Sequence, residues 1–233
     1  MGYDPNFFGP PSWHILHTLA AHLLILQAKG VNIQPYCNAY KRLVESMKKL
    51  VPCENCRKNY IINIRVVPIQ EYGNQPINLF KWSCDLHNVV NQETGKPVYP
   101  FHQALAKYRV SPIDQTYWCN PRNFEQDLWK MLHCIAGNLV MKEEEKGQCV
   151  KQCMQEFVKF VNALAVLIPC DDFRRRFVAI LNSRPLKNHL GSARQLFNWT
   201  VAVHNDINSS YKRPNASLAQ YCKNYGLNPQ KKG

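Results

Sequence analysis

Two absences bound this 233-residue chain before any motif is read. It has no apolar run of the roughly 20 residues that a bilayer-spanning helix needs. The best candidates, TLAAHLLILQA and VNALAVLIPC, stop short, and the first carries His22, so no membrane span is expected. The opening MGYDPNFFGPPSW has no basic residue ahead of an apolar core, which excludes a secretory signal pattern. The Asn-x-Ser/Thr triplets starting at Asn198, Asn208 and Asn215 are then expected to be chance. Acidic residues are scarce, 16 against 29 Lys and Arg, for a net charge of +13. Such an excess attracts nucleic acid, membrane surfaces and acidic partners. The basic residues nevertheless sit singly or in short runs such as FRRRF and QKKG, so a solvated basic face is expected and no specific nucleic-acid site. Few stretches alternate with period two, which argues against sheet.

Ten cysteines are present. That is many for a reducing compartment, yet too irregular for a small disulfide scaffold. A chain of this kind manages thiols.

An internal repeat is the strongest signal. SWHILHTLA (12–20) lies over LWKMLHCIA (128–136), aligning Trp13 with Trp129 and His17 with His133. One residue further along, LVPCENCRKNY (50–60) lies over LIPCDDFRRRF (167–177), and LFKWSCDLHNVVN (79–91) over LFNWTVAVHNDIN (196–208). Within each copy the periodicity is helical. Trp13, Leu16, His17 and Ala20 share one face, as do His87, Asn88 and Asn91. Residues 36–51 carry a stripe of Tyr40, Leu43, Val44, Met47 and Leu50. Turn signals lie at PPS before the first helix, and at KGVNIQP, VVPIQEYGNQP and ETGKP. The expected fold is all-α: two tandem bundles of four or five helices, residues 1–112 and 113–233, joined near 110–121, the second copy degenerate.

PCENC (52–56) is the one CxxC. A CxxC serves zinc and redox chemistry equally well. Pro52 suits the first turn of a helix, which sets Cys53 at a helix N-terminus, where the dipole favours thiolate. Zinc would need two more ligands from the likes of His17, His87 and Cys84. The repeated Trp, His and Asn residues look instead like a shelf for a flat aromatic ligand, with Trp13 and His17 offering stacking surface and Asn88, Asn91 and Lys96 offering amide and charge contacts. Taken singly, each is more simply a core residue. A non-enzymatic zinc-bound or basic scaffold remains the alternative.

GPPSWHILHTLA, PCENC and WSCDLHNVVNQETGKP, in this order and at these separations, resemble the Erv/ALR family of flavin-dependent sulfhydryl oxidases. The tandem form is similar to sulfhydryl oxidases of large DNA viruses, in which a degenerate copy stands in for a dimer partner. The resemblance implies a helical bundle that holds FAD and forms disulfides in protein thiol substrates. Electrons would pass through the Cys53–Cys56 pair to FAD and then to O2, giving H2O2. Cys53 would meet substrate and Cys56 would lie next to the flavin. Trp13, His17, Cys56, His87, Asn88, Asn91 and Lys96 would contact FAD, with Tyr108 in place of a family tryptophan. It also implies action in the host cytoplasm or nucleus and in the virion, with pairing of two chains left open. The family's structural disulfide would use Cys84, but its usual partner position is Phe101; Cys119 or no partner remain as alternatives. Cys149 and Cys153, spaced i, i+4, are the candidates for a shuttle among Cys37, Cys134, Cys149, Cys153 and Cys222. The second copy keeps Trp129, His133, His204, Asn205 and Asn208, with Arg213 at the place of Lys96 and Phe173 at that of Cys56. It cannot oxidise dithiols, and whether it holds FAD stays open.

Overall fold

The structure, a computed structural model, describes residues 2–110, 114–145 and 147–229. Part of the expected join at 110–121 (residues 111–113) and the terminal QKKG run lie outside the described residues.

The first copy is built from α1 (Pro5–Ala28), α2 (Gln34–Leu50), α3 (Glu54–Val66), α4 (Pro76–Glu93) and α5 (Phe101–Lys107). A short α6 (Gln115–Trp118) lies in the connector. The second copy repeats the plan as α7 (Glu125–Val140), α8 (Lys151–Leu167), α9 (Asp171–Ser183), α10 (Ala193–Ser210) and α11 (Leu218–Asn224). Each bundle therefore has five helices. Among the described residues none is long and apolar enough to cross a membrane.

The boundaries follow local chemistry with one exception. Pro76 opens α4 at a position where its missing N–H costs nothing, and the stripe Tyr40, Leu43, Val44, Met47 and Leu50 on α2 is fully buried. The PPS turn expected before the first helix is absent. The helix starts earlier, at Pro5, and runs through Pro10 and Pro11. Asp4 caps it by accepting the Asn6 N–H at 2.8 Å, and Phe8 is buried in the core. That early cap and apolar anchor outweigh the backbone bonds the two prolines cannot make.

α1 is buried around most of its girth because it packs on its own α4 and on α7 of the second copy, while α2 packs on α8. Polar contacts cross the same seam. His14 Nδ1 lies 2.5 Å from Asp127, Lys49 Nζ donates to Gln152 at 3.4 Å, and the Tyr3 hydroxyl donates to the Tyr225 carbonyl at 2.8 Å. The N-terminus also reaches the CxxC: Gly2 pairs in antiparallel fashion with Cys53, and the Tyr3 N–H donates to Pro52 O at 2.9 Å. Gly2 has φ +154°, and a Cβ there would meet Pro52 O at 2.5 Å, so glycine is required for this approach.

Candidate functional site

Cys53 and Cys56 form a disulfide. Cys53 is the N-cap of α3, so the helix begins two residues later than a proline at its first position would place it, and Pro52 precedes the cap instead of lying inside the helix. Its Sγ accepts the Cys56 N–H at 3.2 Å, an N-cap bond made with sulfur. Both cysteines are partly exposed.

The sequence-predicted shelf assembles between α1, α4 and α5. Trp13 and His87 stack with centroids 4.2 Å apart and planes 4° apart. His17, a turn further along α1, places Nε2 at 2.9 Å from His87 Nδ1 and Nδ1 at 2.9 Å from Ser83 Oγ. The Ser83 hydroxyl already donates to Phe80 O at 2.7 Å, so it accepts from His17 Nδ1–H. His17 Nε2 is then an acceptor and takes the His87 Nδ1 proton, which leaves His87 Nε2 as an acceptor. This assignment needs neutral rings. Burial, aided by His87, Lys107 and His14, holds His17 well below the usual histidine range; burial with Lys107 and Lys96 lowers His87 to about 4.

A cavity of about 310 Å³ opens beside this relay. His17, His87, Asn88, Asn91, Lys96 and Tyr108 line it. Trp13 is not on its wall and backs His87 instead; the Cys53–Cys56 pair is also off the wall. Asn88 spends both ends of its amide on one backbone unit, accepting Tyr99 N–H at 2.8 Å and donating to Tyr99 O at 3.0 Å. It holds the segment after α4 over the cavity. Asn91 O accepts the Lys96 N–H at 2.7 Å, which turns the lysine back toward the same space.

Sequence reasoning missed three contributors. Lys107 on α5 brings a second cation to the wall and lies 5.7 Å and 5.8 Å from the Tyr99 and Tyr108 rings. No counterpart marks it, because the aligned residue is Asn224. Ala104 lines the wall through its small size. Ser83 could have been found, since Thr200 preserves its hydroxyl in the second copy.

The second copy keeps the relay but fills the space around it. Trp129 stacks on His204 at 4.3 Å, His133 Nε2 lies 3.1 Å from His204 Nδ1, and His133 Nδ1 lies 2.9 Å from Thr200. Tyr221, aligned with Ala104, brings its hydroxyl to 2.9 Å from His204 Nδ1. Phe173, aligned with Cys56, is fully buried with its ring 6.4 Å from that of Trp129. Arg213, aligned with Lys96, is paired with Glu125, which stands where the first copy has Gly9. Asn205 repeats the Asn88 clamp on Ala216, at 2.9 and 3.3 Å.

The other cysteines are free. Cys84 lines the cavity as a buried thiol, pushed up to about 12 by burial, and no bridge joins it to Cys119. Cys149 is exposed and Cys153 partly exposed, at the α8 end that meets Lys49 of α2. Among the described residues no three His, Cys, Asp or Glu side chains converge as a metal site requires.

The profile of the Erv1/Alr family matches residues 10–110 and again 126–226. Over 100 residues the chain is 29% identical to a protein of Oryza sativa named as a FAD-linked sulfhydryl oxidase, covering 43% of this chain and 48% of the rice protein. It is 32% identical over 103 residues to an Acanthamoeba polyphaga mimivirus protein of the same name, covering 44% of this chain and 68% of that one. A Frog virus 3 protein so named is 28% identical over 108 residues, 46% of this chain and 69% of the relative. The chain thus spans about half the length of the rice relative. No solved structure matches. With both five-helix bundles matched over their length, the chain belongs to the Erv1/Alr family.

Proposed function

We propose that this protein is a FAD-linked thiol oxidase that forms disulfides in protein substrates. The observation that carries this reading is the formed Cys53–Cys56 disulfide capping α3, in the copy that also keeps an open cavity beside the histidine relay.

The residues present fit the cofactor. His17 and His87 supply neutral aromatic surface and one free acceptor, Trp13 backs them, Asn91 and Tyr108 add polar edges, and Lys96 and Lys107 supply cations suited to a pyrophosphate. Asn88 serves by holding the Tyr99 segment. The chemistry FAD supplies when bound is acceptance of an electron pair and its delivery to O2 as H2O2.

The thiol chemistry belongs to the chain. A substrate thiolate attacks Cys53 Sγ, the Sγ–Sγ bond breaks, and Cys56 leaves as thiolate. A second substrate thiol then attacks the mixed disulfide and releases Cys53 as thiolate. In this second step Cys53 leaves more readily than the substrate sulfur, because its Sγ accepts the Cys56 N–H and sits at the positive end of α3. The α8 end beside Cys149 and Cys153 meets α2 four residues before Cys53, which supports reading these two cysteines as a shuttle from protein substrates.

The second copy acts as an internal dimer partner. The room that Ala104 leaves in the first copy is taken here by Tyr221, a buried Phe173 replaces Cys56, and the cation at Arg213 is neutralised by Glu125.

The deciding experiment is an absorbance spectrum of the purified chain before and after anaerobic dithiothreitol. Flavin bands that bleach with dithiol and recover in air are expected. A colourless protein would sink the oxidase reading and return PCENC to a scaffold.

A further inference from the structure

Cys170 is the residue left over from the CxxC of the second copy. It stands at the N-cap position of α9 as Cys53 does for α3, but without the sulfur cap bond, and its partner position holds Phe173, whose ring is fully buried. The Cys170 thiol does not remain without company. It donates to the carbonyl oxygen of Cys119 at 3.0 Å, across 51 positions of sequence. Cys119 comes from the connector between the copies and is exposed, whereas Cys170 is buried.

The connector holds Cys119 in place. Trp118, its neighbour, is 2% exposed, so a whole indole anchors the chain one residue away. The Tyr117 carbonyl accepts Asn123 Nδ2 at 2.6 Å and Asn120 N–H at 3.4 Å, closing the turn on either side of the cysteine. The Cys170 Sγ, 3.0 Å from the Cys119 carbonyl oxygen, already touches the residue that carries its partner thiol, and the Cys119 side chain is exposed. An open depression of about 570 Å³, lined by Thr116, Cys119, Asn120 and Pro121, gives a small disulfide room to approach Cys119.

We propose that Cys119 and Cys170 form a second, reversible disulfide, a redox site assembled from the connector and the orphaned cysteine of the degenerate CxxC. Glutathione disulfide represents the class of oxidant. A Cys119 thiolate attacks it, forming a mixed disulfide and releasing one glutathione thiolate. Cys170, having given its proton to solvent, then attacks the Cys119 sulfur, forming the Sγ–Sγ bond and releasing the second glutathione thiolate. Two protein thiols are oxidised to one disulfide, one glutathione disulfide is reduced to two thiols, and the two protons lost by the protein match those the glutathione thiolates take up. Burial pushes the Cys170 thiol up, opposed by the Phe173 and Asp172 N–H groups, which suits it to the second step and leaves the exposed Cys119 to meet the oxidant. The bond fastens the connector to the start of α9, so the register of the second copy against its linker becomes redox-dependent. The proposal does not require the flavin chemistry, and its test reads the two cysteines alone.

The test equilibrates the full chain with glutathione disulfide, blocks remaining thiols with N-ethylmaleimide, and maps the peptides by mass spectrometry without reduction. The expected product is a Cys119 peptide joined to a Cys170 peptide, lighter by two hydrogens than the two reduced peptides together. Reduction with dithiothreitol should separate them. In Cys119→Ser, an exposed change that leaves the fold intact, the joined peptide should vanish and Cys170 should be recovered as a thiol after unfolding. Recovery of wild-type Cys119 only as a glutathione adduct, only as a maleimide adduct, or joined to Cys84 would overturn the proposal.

Discussion

His17 Nε2 lies 2.9 Å from His87 Nδ1, and the pair is reproduced at 3.1 Å by His133 and His204 in the second copy. The two relays have the same hydroxyl anchor, Ser83 in one and Thr200 in the other. They differ in what surrounds them, and the predictions below exploit that difference.

Ser83→Ala removes the acceptor that sets the His17 tautomer, so His87 Nε2 is no longer held as an acceptor. A hydrogen bond of this kind is worth about 1 kcal/mol, so the dissociation constant for FAD should rise roughly fivefold. Thr200→Ala should leave it unchanged. Flavin fluorescence titration of both variants measures the contrast, and equal effects would refute the assignment of the cofactor to the first copy.

Cys56→Ser should abolish dithiol oxidation while leaving FAD bound, because Cys56 is off the cavity wall. Cys53→Ser should stop turnover with protein substrates while Cys56 stays reactive. Oxygen consumption, run beside the absorbance spectrum, separates loss of turnover from loss of cofactor. Full activity in Cys56→Ser is incompatible with the mechanism.

One FAD per chain is expected, because Tyr221 reaches His204 where Ala104 leaves room and a buried Phe173 replaces Cys56. Flavin absorbance against total protein gives the ratio. A value near two would show that both aromatic rings yield to the cofactor.

Stability should fall in mild acid. Burial holds His22, His87 and His204 at about 4, aided by Arg174 for His22, by Lys107 and Lys96 for His87, and by Arg213 for His204; burial also holds His17 and His133 well below the usual histidine range. The unfolded chain titrates its histidines near 6.5 and therefore binds more protons than the folded chain between about 6.5 and 4. The stability is present in full above 6.5 and is lost as pH falls through that window. Thermal unfolding from pH 7.5 to 4.5 should show a steadily lower midpoint, and a flat profile would contradict the neutral relays.

The helices and the duplication were legible because they depend on neighbours three or four residues apart and on helix-start residues such as Cys53 and Pro76. The same local logic misplaced the start of α1, where a buried Phe8 and the Asp4 cap outweigh the turn signal of two prolines. His17, His87, Asn88, Asn91 and Lys96 could be singled out by pattern and Tyr108 by the family resemblance, and the cavity does collect them. Pattern said nothing of Lys107, which has no repeated counterpart, or of Ala104, whose role is to be small.

The sequence by itself determined the helical class, the two copies, the lone CxxC and the loss of its partner at Phe173, since each is a matter of residue type and spacing along the chain. Only the tertiary structure decided that Asn88 spends its amide on Tyr99, that Tyr221 reaches His204 where Ala104 leaves room, and that Cys119 meets Cys170 and not Cys84. Those relations join residues carried on different elements, some of them 51 positions apart, and their distances follow from how the helices pack.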